Sequence, residues 1–107
     1  MKPGDLVVAM LPGAVATKVR PAVIIASETY LAERPDVILG ILTTKIPSPL
    51  ASTDYLLRGW RAAGLRAESC FRAYILTLHR SSVTIIGHLS SEDWTQVRQR
   101  VLRAFAA

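Results

Sequence analysis

The stretch Lys18-Val19-Arg20-Pro21-Ala22-Val23-Ile24-Ile25 decides how this chain is read. Ala22 to Ile25 is a short apolar run, mostly β-branched, and marks a buried strand. Pro21 stands at its head. A proline cannot donate to a sheet ladder, so it belongs at the first residue of a strand or on a sheet edge. The guanidinium of Arg20 is therefore set where a rigid strand begins. Arginine holds phosphate through paired hydrogen bonds, which makes Arg20 a candidate anion anchor.

Outward from this strand, assigned to residues 20–26, short apolar runs alternate with turn signals. Lys2-Pro3-Gly4-Asp5 is a turn, and residues 6–10 form a first strand. Pro12-Gly13 through Thr17 reads as a hairpin loop. Residues 28–35 form a polar loop with room for one helical turn. Residues 37–43 are almost continuously apolar and predict a central third strand, in which Gly40 marks a bulge or a close backbone approach. Residues 46–53 are an irregular loop, and 54–57 a short fourth strand. Residues 59–64 make a turn that packs Trp60 inward and ends at Gly64. In residues 69–78, Phe71, Ala73 and Ile75 alternate with Arg72, Tyr74 and Leu76, which predicts a fifth strand with two different faces. A sixth strand covers 83–87.

The only long helix follows. Ser90 caps it, with Asp93 three residues on. Trp94, Val97, Val101 and Phe105 fall on one core-facing stripe. Arg98, Arg100 and Arg103 form a solvated face near its C-terminal end, where cations suit the helix dipole. Six strands and a closing helix predict a mainly β fold. It is a small, strongly bent antiparallel sheet or barrel with the helix plugging one end, and one domain spans residues 1–107.

A chain of 107 residues holds one modest core and is too short for a doubly wound nucleotide-binding enzyme. It has no run of about 18 apolar residues that would cross a membrane. Its N-terminus lacks the pattern of a secretory leader, so a cytoplasmic protein is expected. The single cysteine, Cys70, allows no internal disulfide and no Cys-rich metal site, and reads as an inert buried thiol. His79 and His88 stand apart from further metal ligands, so no metal site and no cofactor are expected. A Gly-rich phosphate loop and a nucleophile elbow are both missing.

Thirteen Lys and Arg against eight Asp and Glu leave a net charge of +5. A small, Arg-rich basic domain fits a polyanionic partner, either nucleic acid or an acidic protein tail. Plain solubilising surface charge is the alternative. One constellation carries chemistry: Arg20 with Thr43-Thr44-Lys45. In an antiparallel pair the start of the second strand and the end of the third share a rim. A guanidinium and a hydroxyl facing one another there grip a single phosphate, with Lys45 at the margin, and stabilise charge without a metal. Otherwise Thr43-Thr44 is an ordinary strand end and Arg20 the partner of a surface carboxylate.

The chain resembles the MazF/PemK (Kid) family of toxins from bacterial toxin–antitoxin pairs. The resemblance rests on five blocks in order: Gly4-Asp5-Leu6-Val7, Val19-Arg20-Pro21-Ala22-Val23-Ile24, Leu42-Thr43-Thr44-Lys45, Ala63-Gly64-Leu65 through Ser69, and Gly87-His88-Leu89-Ser90-Ser91-Glu92-Asp93. It implies an SH3-like barrel with a C-terminal helix, usually a homodimer. It also implies a metal-independent endoribonuclease that cuts single-stranded RNA through attack of the ribose 2′-hydroxyl. Arg20 and Thr43 occupy the positions of the family's catalytic pair. Thr44, Lys45, Ser69, Arg72 and Tyr74 fall along its RNA-binding surface. A small acidic antitoxin is the implied protein partner. Two departures stand out. The Ser-Glu or His-Glu pair of many members' first loop is Ala14-Val15 here, and an acidic position of the fifth strand is Tyr74. These keep two further readings open: a gyrase poison of the CcdB type, and a barrel that only binds.

Overall fold

In the computed structural model, which describes residues 1–11 and 18–106, six strands form one antiparallel sheet. The loop 12–17, with Ala14 and Val15, lies outside the described residues. The elements are β1 (Asp5–Leu11), β2 (Lys18–Ile24), α1 (Glu28–Glu33), β3 (Asp36–Thr43), β4 (Tyr55–Leu56), β5 (Cys70–His79), β6 (Val83–His88) and α2 (Ser91–Ala104). The spatial order is β4-β5-β3-β2-β1-β6. The sheet curls into a half-barrel whose edges, β4 and β6, do not pair. The segment after β4 reaches across to β6 instead. Gly64 turns there at a φ of 104°, the left-handed conformation that suits glycine, as the sequence predicts for the end of that turn.

Both faces of the sheet bury apolar side chains, which explains the near-continuous apolar runs. On one face Leu6, Val23, Leu42, Leu57, Phe71 and Leu89 pack with Val97 of α2. On the other, Val7, Ala22, Ile24, Leu31, Val37, Leu39 and Ile41 form a second cluster. Gly40 marks the close approach read from the sequence. A Cβ there would stand 2.2 Å from Cε2 of Phe71, a side chain with no exposed surface. Overpacking of this kind costs about 1–3 kcal/mol. Gly40→Ala is expected to lower the stability measured by urea unfolding by that amount. An unchanged urea midpoint would show that the ring moves freely.

The predicted polar loop 28–35 contains the six-residue helix α1, capped by Ser27 Oγ accepting from Tyr30 N at 3.1 Å. Its last turn carries no cation of its own. Arg80 supplies one, donating Nη2 to Leu31 O and to Arg34 O, each at 2.7 Å.

The terminal helix differs from expectation at its end. The apolar stripe stops before Phe105, because α2 ends at Ala104 and Phe105 is 59% exposed. Arg100 and Arg103, expected on a solvated face, dock the helix. Arg100 lies 5.0 Å over the Tyr55 ring and donates Nε to Asp54 O at 3.3 Å, and Arg103 donates to Ser52 O at 2.6 Å. The deeper anchor is Asp93, 1% exposed. Its carboxylate accepts from Tyr55 Oη at 2.5 Å, Gly59 N at 2.9 Å and Arg58 N at 3.2 Å. Burial, with Asp93 beside it, pushes the Tyr55 phenol well above the ordinary tyrosine value, so it remains a donor.

At the other end of the sheet, Gly4-Asp5 meets Gly87-His88-Leu89. Leu89 N donates to Gly4 O at 2.9 Å, and the His88 ring lies 2.8 Å from the Asp5 carboxylate through Nδ1. No helix of the described residues is long and apolar enough to cross a membrane.

Candidate functional site

Pro21 lies inside β2, not at its head. The strand begins three residues earlier, and Lys18–Pro21 pairs only with β1, through Leu11↔Lys18, Met10↔Val19, Ala9↔Arg20 and Val8↔Pro21. Pairing with β3 is confined to Ala22↔Ile41, Val23↔Gly40 and Ile24↔Leu39. Opposite Leu42 in the register, Pro21 can offer β3 a carbonyl but no N–H, so the β2–β3 ladder can carry at most one bond at that step instead of two. The end of β3 is held by β5 alone, through Leu42↔Phe71 and Thr43↔Cys70.

The two strands splay, and a cavity of 410 Å³ opens between them. Lys18, Val19, Arg20 and Pro21 line one wall, and Leu42, Thr43 and Thr44 the other. It adjoins a larger cavity of 720 Å³, where Arg20, Thr43, Thr44 and Lys45 meet Arg72 and Tyr74 of β5. Ile41, Leu76 and Leu78 give that cavity an apolar floor. The sequence expectation that Arg20 and Thr43 share a rim thus matches the cleft they line.

The electrostatics are one-sided. Lys18, Arg20, Lys45 and Arg72 line the larger cavity, and no Asp or Glu of the described residues does. Arg20 is exposed, and no carboxylate of the described residues lies within ion-pair distance of it. Thr43 Oγ1 accepts from Lys45 N at 3.1 Å. That bond uses an acceptor lone pair and leaves the hydroxyl proton available to donate. The arrangement can hold an anion from several sides, with a fork, a point charge and a hydroxyl.

Arg72 and Tyr74 reach the cleft through an irregularity in β5. Between Leu42↔Phe71 and Gly40↔Ile75, β3 has one residue, Ile41, where β5 has Arg72, Ala73 and Tyr74. Ala73 sits at a φ of 58°, unusual for a residue with a side chain. The excess of two residues preserves the alternation, so Phe71 and Ala73 pack on one core while Arg72 and Tyr74 line the cavity. Tyr74 is 63% exposed there.

Ser69 is the expected binding residue that stands apart. It is 2% exposed, lines neither cavity, and donates its hydroxyl to Ala67 O at 3.0 Å. Lys18, which lines both cavities, is missing from the expectations. Its spacing of two from Arg20 along a strand was the available signal. Cys70, the partner of Thr43, is wholly buried, and burial pushes its thiol above the usual value.

Comparison with known proteins bears on the fold and the family. A family model described as "PemK-like, MazF-like toxin of type II toxin-antitoxin system" matches residues 2–105. No curated protein matches by sequence. Among solved structures, an endoribonuclease in complex with its cognate antitoxin from a mycobacterial species is similar at a TM-score of 0.81. It is 16% identical, over 97% of this chain and 93% of that one. The toxin MazF-mt6 of Mycobacterium tuberculosis gives 0.77 at 19% identity, covering 94% of this chain and 95% of that one. A MazE–MazF structure from Deinococcus radiodurans gives 0.76 at 14% identity, covering 99% and 98%. At such identities the solved structures establish the half-barrel fold, while the family model spans nearly the whole sequence, and the chain belongs to the PemK-like, MazF-like toxins of type II toxin–antitoxin systems.

Proposed function

We propose that this toxin is an endoribonuclease that cuts single-stranded RNA in the cleft between β2 and β3, without a metal. The observation that carries the reading is the splay itself, an open cationic space with Arg20 on one wall and Thr43 on the other. In the reaction, the ribose 2′-oxygen attacks the adjacent phosphorus and loses its proton. The bond to the 5′-oxygen breaks, and that oxygen gains a proton. The products are a 2′,3′-cyclic phosphate and a 5′-hydroxyl. Arg20 holds the phosphate and stabilises the charge gathering on its oxygens in the transition state. Thr43 donates a hydrogen bond to the same group and orients it. Thr44, Lys45 and Arg72 hold the flanking backbone, and the exposed ring of Tyr74 offers a face on which a base stacks.

The same positive cleft suits a small acidic antitoxin whose disordered tail folds as it binds and covers the site. Solved relatives described as complexes with an antitoxin support that partner. A homodimer is the proposed assembly, and the cytoplasm the proposed location. The test is incubation of a long single-stranded RNA with the purified protein in EDTA, followed by analysis of the ends. Cleavage leaving cyclic phosphate and 5′-hydroxyl ends is expected, with Thr43→Ala slower by about 10–100-fold. No cleavage at any protein concentration would overturn the reading, and gyrase inhibition would then separate a poison from a barrel that only binds.

A further inference from the structure

We infer that Lys18 is a catalytic residue of the proposed cleavage, its ammonium giving the proton that the departing 5′-oxygen takes up. The role rests on the nuclease reading, since only a breaking bond to the 5′-oxygen calls for such a donor. Lys18, Arg20 and Ala22 alternate along β2 and share one sheet face, as do Leu39, Ile41 and Thr43 along β3. The pair Ala22↔Ile41 sets these two rows on the same face. Continued outward, the register brings Arg20 to the level of Thr43 and Lys18 to the level of Lys45. Lys18 is thus the next side chain beyond Arg20 on its wall, about 6.6 Å along the strand. The four-carbon stem of a lysine spans that step. Lys18 also lines the 410 Å³ space between Arg20 and Thr43, whereas Lys45, Arg72 and Tyr74 line only the larger cavity. It is exposed, and no carboxylate of the described residues lies within ion-pair distance of it.

Of the side chains lining the smaller space, only Lys18 and Arg20 are ionisable. A guanidinium does not release its proton in a protein. Residues 12–17, Pro-Gly-Ala-Val-Ala-Thr, bring no ionisable side chain. Both histidines stand elsewhere, His79 opposite Asp36 and His88 beside Asp5. An ammonium has protons to give and no lone pair to accept one, which fits the leaving side of the reaction rather than the attacking side. As the bond from phosphorus to the 5′-oxygen breaks, its electron pair goes to that oxygen, and an N–H of Lys18 supplies the proton. The lysine is left as the amine and regains a proton from water. The proton of the 2′-hydroxyl passes to water. Arg20 stays charged throughout.

The experiment compares two short single-stranded RNAs spanning one cleavage site, identical except that sulfur replaces the scissile 5′-oxygen in the second. A thiolate leaves without a proton, so the second substrate needs no acid. The full chain is used as the parent, Lys18→Gln and Lys18→Arg, in single turnover with the protein in excess. On the oxygen substrate Lys18→Gln is expected to be about 100-fold slower than the parent. Lys18→Arg keeps the charge but has no proton it can release, and is expected to be slowed nearly as much. On the sulfur substrate both variants are expected to stay within about threefold of the parent. Because Lys18 is exposed, both are expected to keep the parent's urea midpoint, and rates are compared at equal folded fraction. Equal slowing on the two substrates overturns the inference and leaves Lys18 to hold phosphate. Lys18→Arg cleaving the oxygen substrate at the parent's rate overturns it as well. A parent that cuts neither substrate overturns the nuclease reading and this role with it, whereas a parent that cuts both leaves the variants to decide the role alone.

Discussion

Arg20→Ala is expected to lower the rate of RNA cleavage by about 10²–10³-fold while leaving the urea midpoint nearly unchanged. The two halves of that expectation have separate grounds. Arg20 is exposed and has no carboxylate partner among the described residues, so its removal breaks no ion pair there. On the proposed reading its chemical contribution is large, because the guanidinium would meet a phosphate in a cleft whose charged lining is all cationic among the described residues, and would not need to reorganise as charge develops. Arg20→Lys keeps the charge and loses the fork, so it recovers only part of the rate. Initial rates on a short RNA, set beside urea unfolding of the same preparations, check both halves. A rate within twofold of the parent would remove Arg20 from the chemistry.

The second large effect is on folding. Asp93→Ala removes an acceptor shared by Tyr55 Oη, Arg58 N and Gly59 N, in a place where water cannot replace it. The loss of these charge-assisted bonds, with their donors left behind, costs about 3–5 kcal/mol. That is a large share of the total stability of a domain of this size. Asp93→Asn retains the shape and part of the acceptor capacity, so it is expected to fall between. Urea unfolding measures the series. Asp93→Ala costing less than about 1 kcal/mol would show that the segment after β4 holds its place by packing alone.

The difference between what could and could not be read in the sequence follows sequence distance. Arg20 and Thr43 were legible because a β-branched run and an apolar run named two strands, and antiparallel geometry set their ends together. Gly40 was legible because a residue without a side chain, set inside a central strand, marks a place where a neighbour comes close. Asp93 was legible only as part of a helix start. Its partners Tyr55, Arg58 and Gly59 are 34 to 38 residues away, and nothing local announces them. The docking of Arg100 and Arg103 was hidden for the same reason, since a cation near a helix end looks alike whether it meets water or a carbonyl. The extra residues of β5 depend on its register against β3, which alternation in one strand does not determine. Pro21 was misplaced because the rule for proline concerns its own missing N–H, which a ladder tolerates at a single step, and the sequence alone did not show that β2 begins three residues earlier, at Lys18.

The splayed walls also bear on how such a protein changes over generations. Lys18, Val19 and Arg20 hang on β1, while Thr43 hangs on β5, and no ladder pair joins the two sides at that level. A replacement at Val19, Thr44 or Lys45 alters what the cleft admits without breaking a pair between the walls. Selection can therefore reshape the choice of ligand at small cost to folding, while residues such as Phe71, Asp93 and Gly40 carry the constraint elsewhere.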